Sequence, residues 1–264
     1  MKLIDVHSHL DKYFYSDISE VINNLKMKNA VAITAGINPE TNRYVLELSE
    51  KYPKVIYATL GLYPRDAFTE QEIRETGFNL NFDVDEELDF IYSNREKIIG
   101  IGEVGMDFKH GKDLEMQEKD FRKVIELAIK INKPLIIHSR KAELKVIEIL
   151  EEYSKEYKFE KIIMHCFSGS HILVQRIRKN KWFFSIPTSI VRDQHFQKIV
   201  KETPLNQILT ETDSPFLSPF KEIKNQPVFV LETIKTISKL RNIPEEDVAN
   251  LIYLNSKRVF GVEF

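Results

Sequence analysis

The chain has 264 residues, of which 42% are hydrophobic and 30% charged, as in an ordinary soluble globular protein. Lys and Arg number 38 against 40 Asp and Glu, which argues against a protein that wraps nucleic acid in positive charge. Cys166 is the only cysteine, so a disulfide framework and a thiolate zinc cluster are excluded. No apolar run approaches the ~20 residues of a membrane helix, and no signal segment precedes the first apolar run, so we expect a cytoplasmic protein without membrane contact.

Short apolar runs alternate with longer amphipathic stretches along the whole chain. The runs, in order, are KLIDVHSH, AVAITAGI, VIYATLGLYP, IIGIGEVGMD, PLIIHS, IIMHCF, WFFSIP and QILTETDSP. Between the fourth and the fifth run, EKDFRKVIELAIKINKP places apolar residues at helical spacing, and Pro134 ends that helix. The alternation predicts parallel strands covered by helices, and eight such units in a chain of this length match an α/β fold of the (β/α)8 TIM-barrel type.

A doubly wound open sheet is the competing architecture, but no Gly-x-Gly-x-x-Gly stretch follows the first predicted strand. No linker rich in Pro, Gly or Ser and no low-complexity tract divides the sequence. We therefore expect a single domain over residues 1–264. The least regular segment, AFTEQEIRETGFNLNFDVDEE, is interpreted as a loop insertion before the third helix.

Residue types that ligate metal ions stand near the carboxyl ends of five predicted strands. They are His7 and His9 on the first strand, Glu103 on the fourth, His138 on the fifth, His165 on the sixth and Asp213 on the eighth. Taken alone, the first two could be core histidines that share one face of a strand. In a (β/α)8 barrel, however, all these strand ends converge on the face where active sites lie. Four histidines and two carboxylates there predict divalent ions, and six ligands suggest two ions that share a carboxylate.

Other polar residues near the predicted strand ends have two interpretations each. Asp5 is expected to support the histidines by a hydrogen bond, and Asp11 and Asp107 either do the same or face loops. Arg140 follows the His138 strand end, where it either binds a phosphate through two hydrogen bonds or is an ordinary surface arginine. The segment 168–170, Ser-Gly-Ser, either binds an anion at a helix start or simply caps that helix.

Several residues of reactive types are assigned no chemical role. Cys166 follows a predicted ligand and is expected to point to the opposite face as a small core residue. Trp182 heads an apolar strand and is expected to pack in the core. The remaining histidines stand in predicted loops or helices and are expected to be solvated surface groups; they are His110, His171 and His195.

The segments DVHSHLD, GEVGMDF, PLIIHSR, IMHCFSG and TETDSPFL resemble, in order and spacing, the TatD-related metal-dependent deoxyribonucleases, which belong to the amidohydrolase-like group of metal barrels. The resemblance covers nearly the whole chain. It implies one ion held by His7 and His9 with Asp213 beside them, a second ion held by His138 and His165, and a bridging Glu103. It also implies that Asp213 orients or deprotonates the attacking water.

The resemblance further implies a nuclease that hydrolyses phosphodiester bonds in DNA, typically as an exonuclease on single strands or strand ends, with two ions of magnesium, manganese or zinc. Two positions depart from the family pattern: Tyr63 stands where a histidine is usual, and Lys224 where an arginine is commoner. Both concern substrate contact, so we expect Tyr63, Arg140 and Lys224 to bind substrate, with Arg65 as a further guiding cation. A monomer is favoured.

Two alternatives remain open at this stage. The first is an amidohydrolase-type enzyme that hydrolyses a small cyclic amide or lactone with the same metal centre. In that group the fourth strand often supplies a modified lysine as the bridge, where this chain has Glu103. The second is a scaffold that binds metal without catalysis, which the complete ligand set disfavours.

Overall fold

A computed structural model describes residues 1–264 and contains one eight-stranded sheet. The strands are β1 (Leu3–Ser8), β2 (Ala30–Ala35), β3 (Ile56–Leu60), β4 (Gly100–Gly105), β5 (Leu135–His138), β6 (Ile162–His165), β7 (Phe183–Ile186) and β8 (Ile208–Thr210). Each strand pairs in parallel with the next one along the chain. The predicted (β/α)8 barrel is confirmed.

β8 is only three residues long, so the barrel closes largely through the segment that follows it. The Thr210 hydroxyl donates to the carbonyl of Ile4 at 2.7 Å. Beyond the strand, the Asp213 N–H donates to the carbonyl of His7 at 3.0 Å, and the His9 N–H donates to the carbonyl of Ser214 at 2.8 Å. Barrel closure therefore places Asp213 directly beside His7 at the end of β1 and His9 just after it.

Ten α-helices surround the sheet: α1 (Ser19–Met27), α2 (Pro39–Lys51), α3 (Glu70–Thr76), α4 (Val84–Ser93), α5 (Leu114–Ile131), α6 (Glu143–Tyr157), α7 (His171–Lys179), α8 (Gln194–Glu202), α9 (Val230–Arg241) and α10 (Glu245–Phe260). The apolar positions at helical spacing in α5 are Phe121, Val124, Ile125, Ala128 and Ile131; the first four are buried, and Ile131 is partly exposed. None of the ten helices combines the length and the apolar character that crossing a bilayer requires.

The segment interpreted as a loop insertion contains helix α3, which corrects that interpretation. Thr69 and Glu72 form a capping box: the Glu72 N–H donates to the Thr69 hydroxyl at 3.2 Å, and the Thr69 N–H donates to the Glu72 carboxylate at 2.7 Å. Gly77 ends the helix with a left-handed φ of 69°. Helix α3 buries none of its residues, so it has no apolar periodicity by which a helix could be predicted.

Apolar side chains of the strands and helices form one continuous core. Trp182 is fully buried there, as its place at the head of an apolar strand predicted. Every residue of β1 and β4 is buried, including the charged and imidazole side chains at or near their carboxyl ends. Buried ionisable groups are costly unless they are paired, so the polar cluster at this end of the barrel requires a specific arrangement.

Candidate metal centre

Glu103, near the end of β4, lies between two pairs of histidines. Its Oε2 atom is 3.5 Å from Nε2 of His7 and 3.3 Å from Nε2 of His9. Its Oε1 atom is 2.9 Å from Nδ1 of His138 and 3.9 Å from Nε2 of His165. Each oxygen therefore faces a different pair, which is the arrangement expected of a carboxylate shared by two cation sites.

Asp213 approaches the same cluster from the segment after β8. Its Oδ1 atom is 3.7 Å from Nε2 of His7, 3.5 Å from Nε2 of His9 and 3.8 Å from Nε2 of His165. The side chain of Asp213 is 16% exposed, more than that of any other member of the cluster. The structure thus brings together all six residues that were predicted as metal ligands, and Asp213 is the one that faces solvent most.

The donors of this cluster fit divalent ions. Three groups of three ligand atoms lie within 4.8 Å of one another: His7 with His165 and Asp213, His7 with His9 and Glu103, and Glu103 with His138 and His165. Both ring nitrogens of His7 and Nδ1 of His9 are buried and have no hydrogen-bond partner in the protein. A buried polar atom without a partner is destabilising, and a bound cation would supply one to Nε2 of His7, the ring nitrogen that faces Glu103 and Asp213.

The charge of the cluster also suits a cation. Burial by itself would raise the pKa of Glu103, but the hydrogen bond from His138 and the nearby imidazoles of His7 and His9 outweigh it and hold this pKa well below its ordinary value. Burial likewise opposes ionisation of Asp213, yet the neighbouring histidines keep its pKa below the ordinary value. Both carboxylates are therefore anionic, as metal ligands must be.

Two further acids lie behind the histidines of β5 and β6. His138 Nε2 is 3.0 Å from Oδ2 of Asp107, and His165 Nδ1 is 2.8 Å from Oε2 of Glu211. Each acid binds the ring nitrogen that faces away from the cluster and so orients the other nitrogen toward Glu103. Asp107 was one of the residues expected to act in this way or to face a loop, and the structure places it behind a histidine.

Glu211 was not predicted as a site residue. Its carboxylate is fully buried, and Oε1 accepts a hydrogen bond from the Cys166 N–H at 2.9 Å. Burial raises the pKa of Glu211 well above its ordinary value. Burial also acts to raise the pKa of Asp107. Hydrogen bonds, chiefly that with His138, outweigh this effect and lower the pKa of Asp107 to about 2. The sequence signal that could have identified Glu211 is its position in TETDSP, where it is a second acid two residues before Asp213.

Asp5 and Asp11 contact backbone rather than imidazole rings. Asp5 accepts from the N–H of His7 at 3.2 Å and from the N–H of Thr212 at 2.9 Å, so it joins β1 to the segment after β8. Asp11 accepts from the N–H groups of Tyr13 and Phe14 and fixes a turn. The support that Asp5 lends the histidines is therefore indirect.

A cleft of about 1080 Å³ opens above the cluster, and Tyr63 and Arg140 line it. The Tyr63 hydroxyl donates to Oδ2 of Asp107 at 3.1 Å and lies 3.4 Å from Nε2 of His138. The Arg140 side chain is 49% exposed, and its Nε atom is 3.9 Å from the same Asp107 oxygen. Both predicted substrate contacts therefore lie beside the ligand cluster.

Lys224 and Arg65 are not among the residues that line the cleft. The Lys224 ammonium donates to the carbonyl of Phe14 and lies 4.8 Å from the centre of the Tyr15 ring. Arg65 pairs with Asp120 at 3.0 Å. The structure thus does not bring these two cations to the substrate-binding position predicted for them.

Cys166 and His195 line the cleft, which corrects their predicted core and surface positions. Cys166 follows the last residue of β6 and has a left-handed φ of 42°, so the alternation of side chains along the strand no longer applies to it. His195 Nε2 is 3.0 Å from the carbonyl of Phe167. By contrast, His171 is exposed and pairs with Glu202 at 2.9 Å, as expected of a surface group, and His110 is partly exposed.

Segment 168–170 leads into α7. Ser170 is the N-cap residue of this helix, and its side chain makes no capping hydrogen bond. Ser168 lines the cleft, and its hydroxyl donates to Oε1 of Glu143 at 3.1 Å. This segment therefore forms part of the cleft wall as well as the start of a helix.

Comparison with known proteins agrees with this site. A family model described as TatD related DNase matches residues 4–261. The metal-dependent hydrolase MJ1582 of Methanocaldococcus jannaschii is 34% identical, with 98% of this chain and 97% of that protein covered. The human deoxyribonuclease TATDN3 is 31% identical, with 98% of this chain and 94% of that protein covered.

Solved structures show the same fold. The TatD homologue YjjV of Escherichia coli superimposes with a TM-score of 0.82 at 24% identity, with 98% of both chains covered. A TatD-family hydrolase of Entamoeba histolytica gives a TM-score of 0.80 at 19% identity, again over 98% of both chains. Since the family model covers nearly the whole sequence, this chain is a metal-dependent hydrolase of the TatD-related DNase family.

Proposed function

We propose that this protein is a deoxyribonuclease that hydrolyses phosphodiester bonds at or near the end of a DNA strand and uses two divalent ions. The observation that carries the proposal is the position of Glu103, whose two oxygens face separate pairs of histidines. Two ions that share a carboxylate are a recurring arrangement in phosphodiester hydrolysis. The human relative named as a deoxyribonuclease supports DNA as the substrate.

The six ligand residues would hold the ions in two groups. His7 and His9 would hold one ion with Asp213, His138 and His165 would hold the other, and Glu103 would serve both. Such ions supply Lewis acidity that activates water and offsets the charge of the reacting phosphate. Four imidazoles in the donor set favour manganese or zinc over magnesium, which prefers oxygen ligands.

Asp213 would accept the proton of the attacking water. It is the most exposed of the six ligand residues, and it is ionised because the surrounding histidines keep its pKa below the ordinary value despite burial. A general base must be ionised and must reach the proton that it removes, and this position meets both conditions. Glu103 is more deeply enclosed and would therefore act in holding the ions.

Arg140 and Tyr63, which lie beside the cluster, would bind the phosphate. The Arg140 guanidinium is half exposed in the cleft and is not engaged in a close ion pair, since its nearest acid oxygen is 3.9 Å away. Guanidinium groups bind phosphate through two parallel hydrogen bonds. The Tyr63 hydroxyl could turn from Asp107 to donate to a phosphate oxygen.

The test is a time course on end-labelled single- and double-stranded DNA and RNA, with magnesium, manganese or zinc added in turn to metal-stripped protein. We expect stepwise shortening of DNA from one end, fastest with manganese or zinc. A panel of cyclic amides and lactones assayed in parallel provides the comparison. Turnover of that panel without cleavage of any oligonucleotide would overturn the proposal.

A further inference from the structure

Aromatic rings line one side of the cleft, from Tyr63 on the β3 side to Phe216 on the β8 side. Tyr63 and Phe68 are 5.1 Å apart between ring centres, and Phe68 and Phe78 are 5.6 Å apart. In the segments that follow β1 and β8, Phe14 and Phe216 are 5.3 Å apart and meet at 77°. Edge-to-face contact of this kind leaves the face of one ring free to stack with a further planar group.

Phe216 stands out among these rings because it is 47% exposed and close to the ligand cluster. Its ring centre is 6.5 Å from that of His9, and it follows Asp213 by three residues. The Phe216 N–H donates to the carbonyl of Asp213 at 2.9 Å, and its carbonyl accepts from the Asn225 side-chain amide at 2.6 Å. The backbone therefore holds an exposed aromatic ring at a fixed distance from the reacting centre.

The wall formed by the segments after β5 and β7 carries the cations. Arg140 and Arg192 line it together with His195. Arg192 donates to the carbonyl of Ser218 at 2.8 Å, which ties this wall to the loop that carries Phe216.

The two acids of the cleft outside the ligand cluster are both engaged in capping helices. Glu72 forms the capping box of α3, and Asp193 accepts from the His195 N–H at the start of α8. Their charges are therefore partly offset by helix N-termini. The cleft thus combines an aromatic side with a cationic side, and the candidate metal cluster lies at its base.

We propose that Phe216, packed against Phe14, is the stacking site for an unpaired nucleobase adjacent to the scissile phosphate. This inference rests on the proposed function and names the part of the substrate that the aromatic side recognises. A nucleotide presents a planar apolar face and an anionic phosphate at the same time. The planar face suits the aromatic rings of the cleft, and the phosphate suits its cationic side chains. Bases within a duplex are stacked on one another, so only a single strand or an opened end could use this ring.

The experiment compares two single-stranded oligonucleotides that differ only in the nucleotide next to the scissile phosphate. One carries a normal base there, and the other carries an abasic tetrahydrofuran unit. KM and kcat are measured for both substrates with the wild type, Phe216→Ala, Phe216→Trp and Phe220→Ala. Phe220 is the matched control because it lies in the same loop, is 41% exposed and packs on Phe229 outside the cleft.

For the wild type we expect a KM about tenfold higher, or more, for the abasic substrate than for the intact one, the usual scale of base–aromatic stacking. In Phe216→Ala this ratio should fall toward one, and Phe216→Trp should restore it because the indole also stacks. Phe220→Ala should keep the wild-type ratio. An unchanged ratio in Phe216→Ala would overturn the stacking site while leaving the proposed function intact, whereas a wild type that cleaves no oligonucleotide would overturn both.

Discussion

The Nδ1 atom of His165 lies 2.8 Å from Oε2 of Glu211, and both side chains are buried. The other carboxylate oxygen of Glu211 accepts the N–H of Cys166. One acid therefore orients the imidazole ring and fixes the backbone immediately after it. With Nδ1 engaged, Nε2 of His165 is the atom left to face Glu103 and Asp213.

We expect Glu211→Gln to weaken binding of the ion at His165 by roughly ten- to a hundredfold, the scale measured for residues behind metal ligands. Glu211 now accepts from the His165 ring and from the Cys166 N–H. The amide group of glutamine would instead present a donor to one of these two donors. Metal affinity is measured by competition with a chromophoric chelator. Glu202→Gln is the matched control, since Glu202 pairs with the exposed His171, and an equal loss in both variants would contradict the role of Glu211.

Asp213→Asn should lower turnover by roughly a hundredfold to ten-thousandfold, the usual contribution of a general base. The amide keeps the shape of the side chain but cannot take a proton from water. Nuclease assays and circular dichroism on the same preparation provide the measurement and the check on folding. Residual activity within a few-fold of the wild type in a folded variant would show that another group accepts the proton.

Tyr63→Phe should slow DNA hydrolysis by roughly ten- to a hundredfold, the scale of one lost hydrogen bond in the transition state. Metal content should stay the same, because His138 keeps its own contact with Asp107 at 3.0 Å. Kinetics and elemental analysis on this one variant distinguish a substrate contact of Tyr63 from a structural role. An unchanged rate would assign Tyr63 to packing, and a lost ion would mean that its hydroxyl supports Asp107 and His138 instead.

Removing metal should destabilise the protein, because Nε2 of His7 is then buried without a partner. An ion present at a hundred times its dissociation constant stabilises the folded state by about 2.7 kcal/mol. We therefore expect thermal unfolding to shift upward by several degrees when manganese or zinc is added to chelator-treated protein. His7→Ala should reduce this shift markedly, and an undiminished shift would place the ion elsewhere.

Gly105→Ala should destabilise the fold and weaken metal binding together. Gly105 ends β4 with a φ of 146°, and a Cβ atom there would overlap the carbonyl oxygen of His138. We expect a loss of about 1–3 kcal/mol in the free energy of unfolding, the ordinary range for a harmful substitution. Denaturant titration measures it. Gly77→Ala is the control: its φ is also positive, but open space surrounds it, so metal affinity should not change.

Much of this molecule was predictable from local sequence patterns. The eight apolar runs correspond to the eight strands, because strands covered by helices must be apolar on both faces. Once the barrel is inferred, its geometry brings the carboxyl ends of all strands to one face, whatever their separation along the chain. For this reason the sequence alone predicts that His7 and His165 lie in one cluster. Helix α3 escaped prediction because it buries nothing and so leaves no pattern.

The tertiary structure alone decided where residues just beyond the strands point. Cys166 and Asp213 both have left-handed φ values, 42° and 54°, so the alternation that holds within a strand could not predict their direction. The role of Glu211 depends on a contact with a histidine 46 positions away. Lys224 lies outside the cleft because the carbonyl of Phe14, 210 positions away, binds its ammonium. Sequence patterns thus determined the strands and the ligands that they carry, whereas long-range contacts decided which neighbouring groups orient those ligands and which enter the cleft.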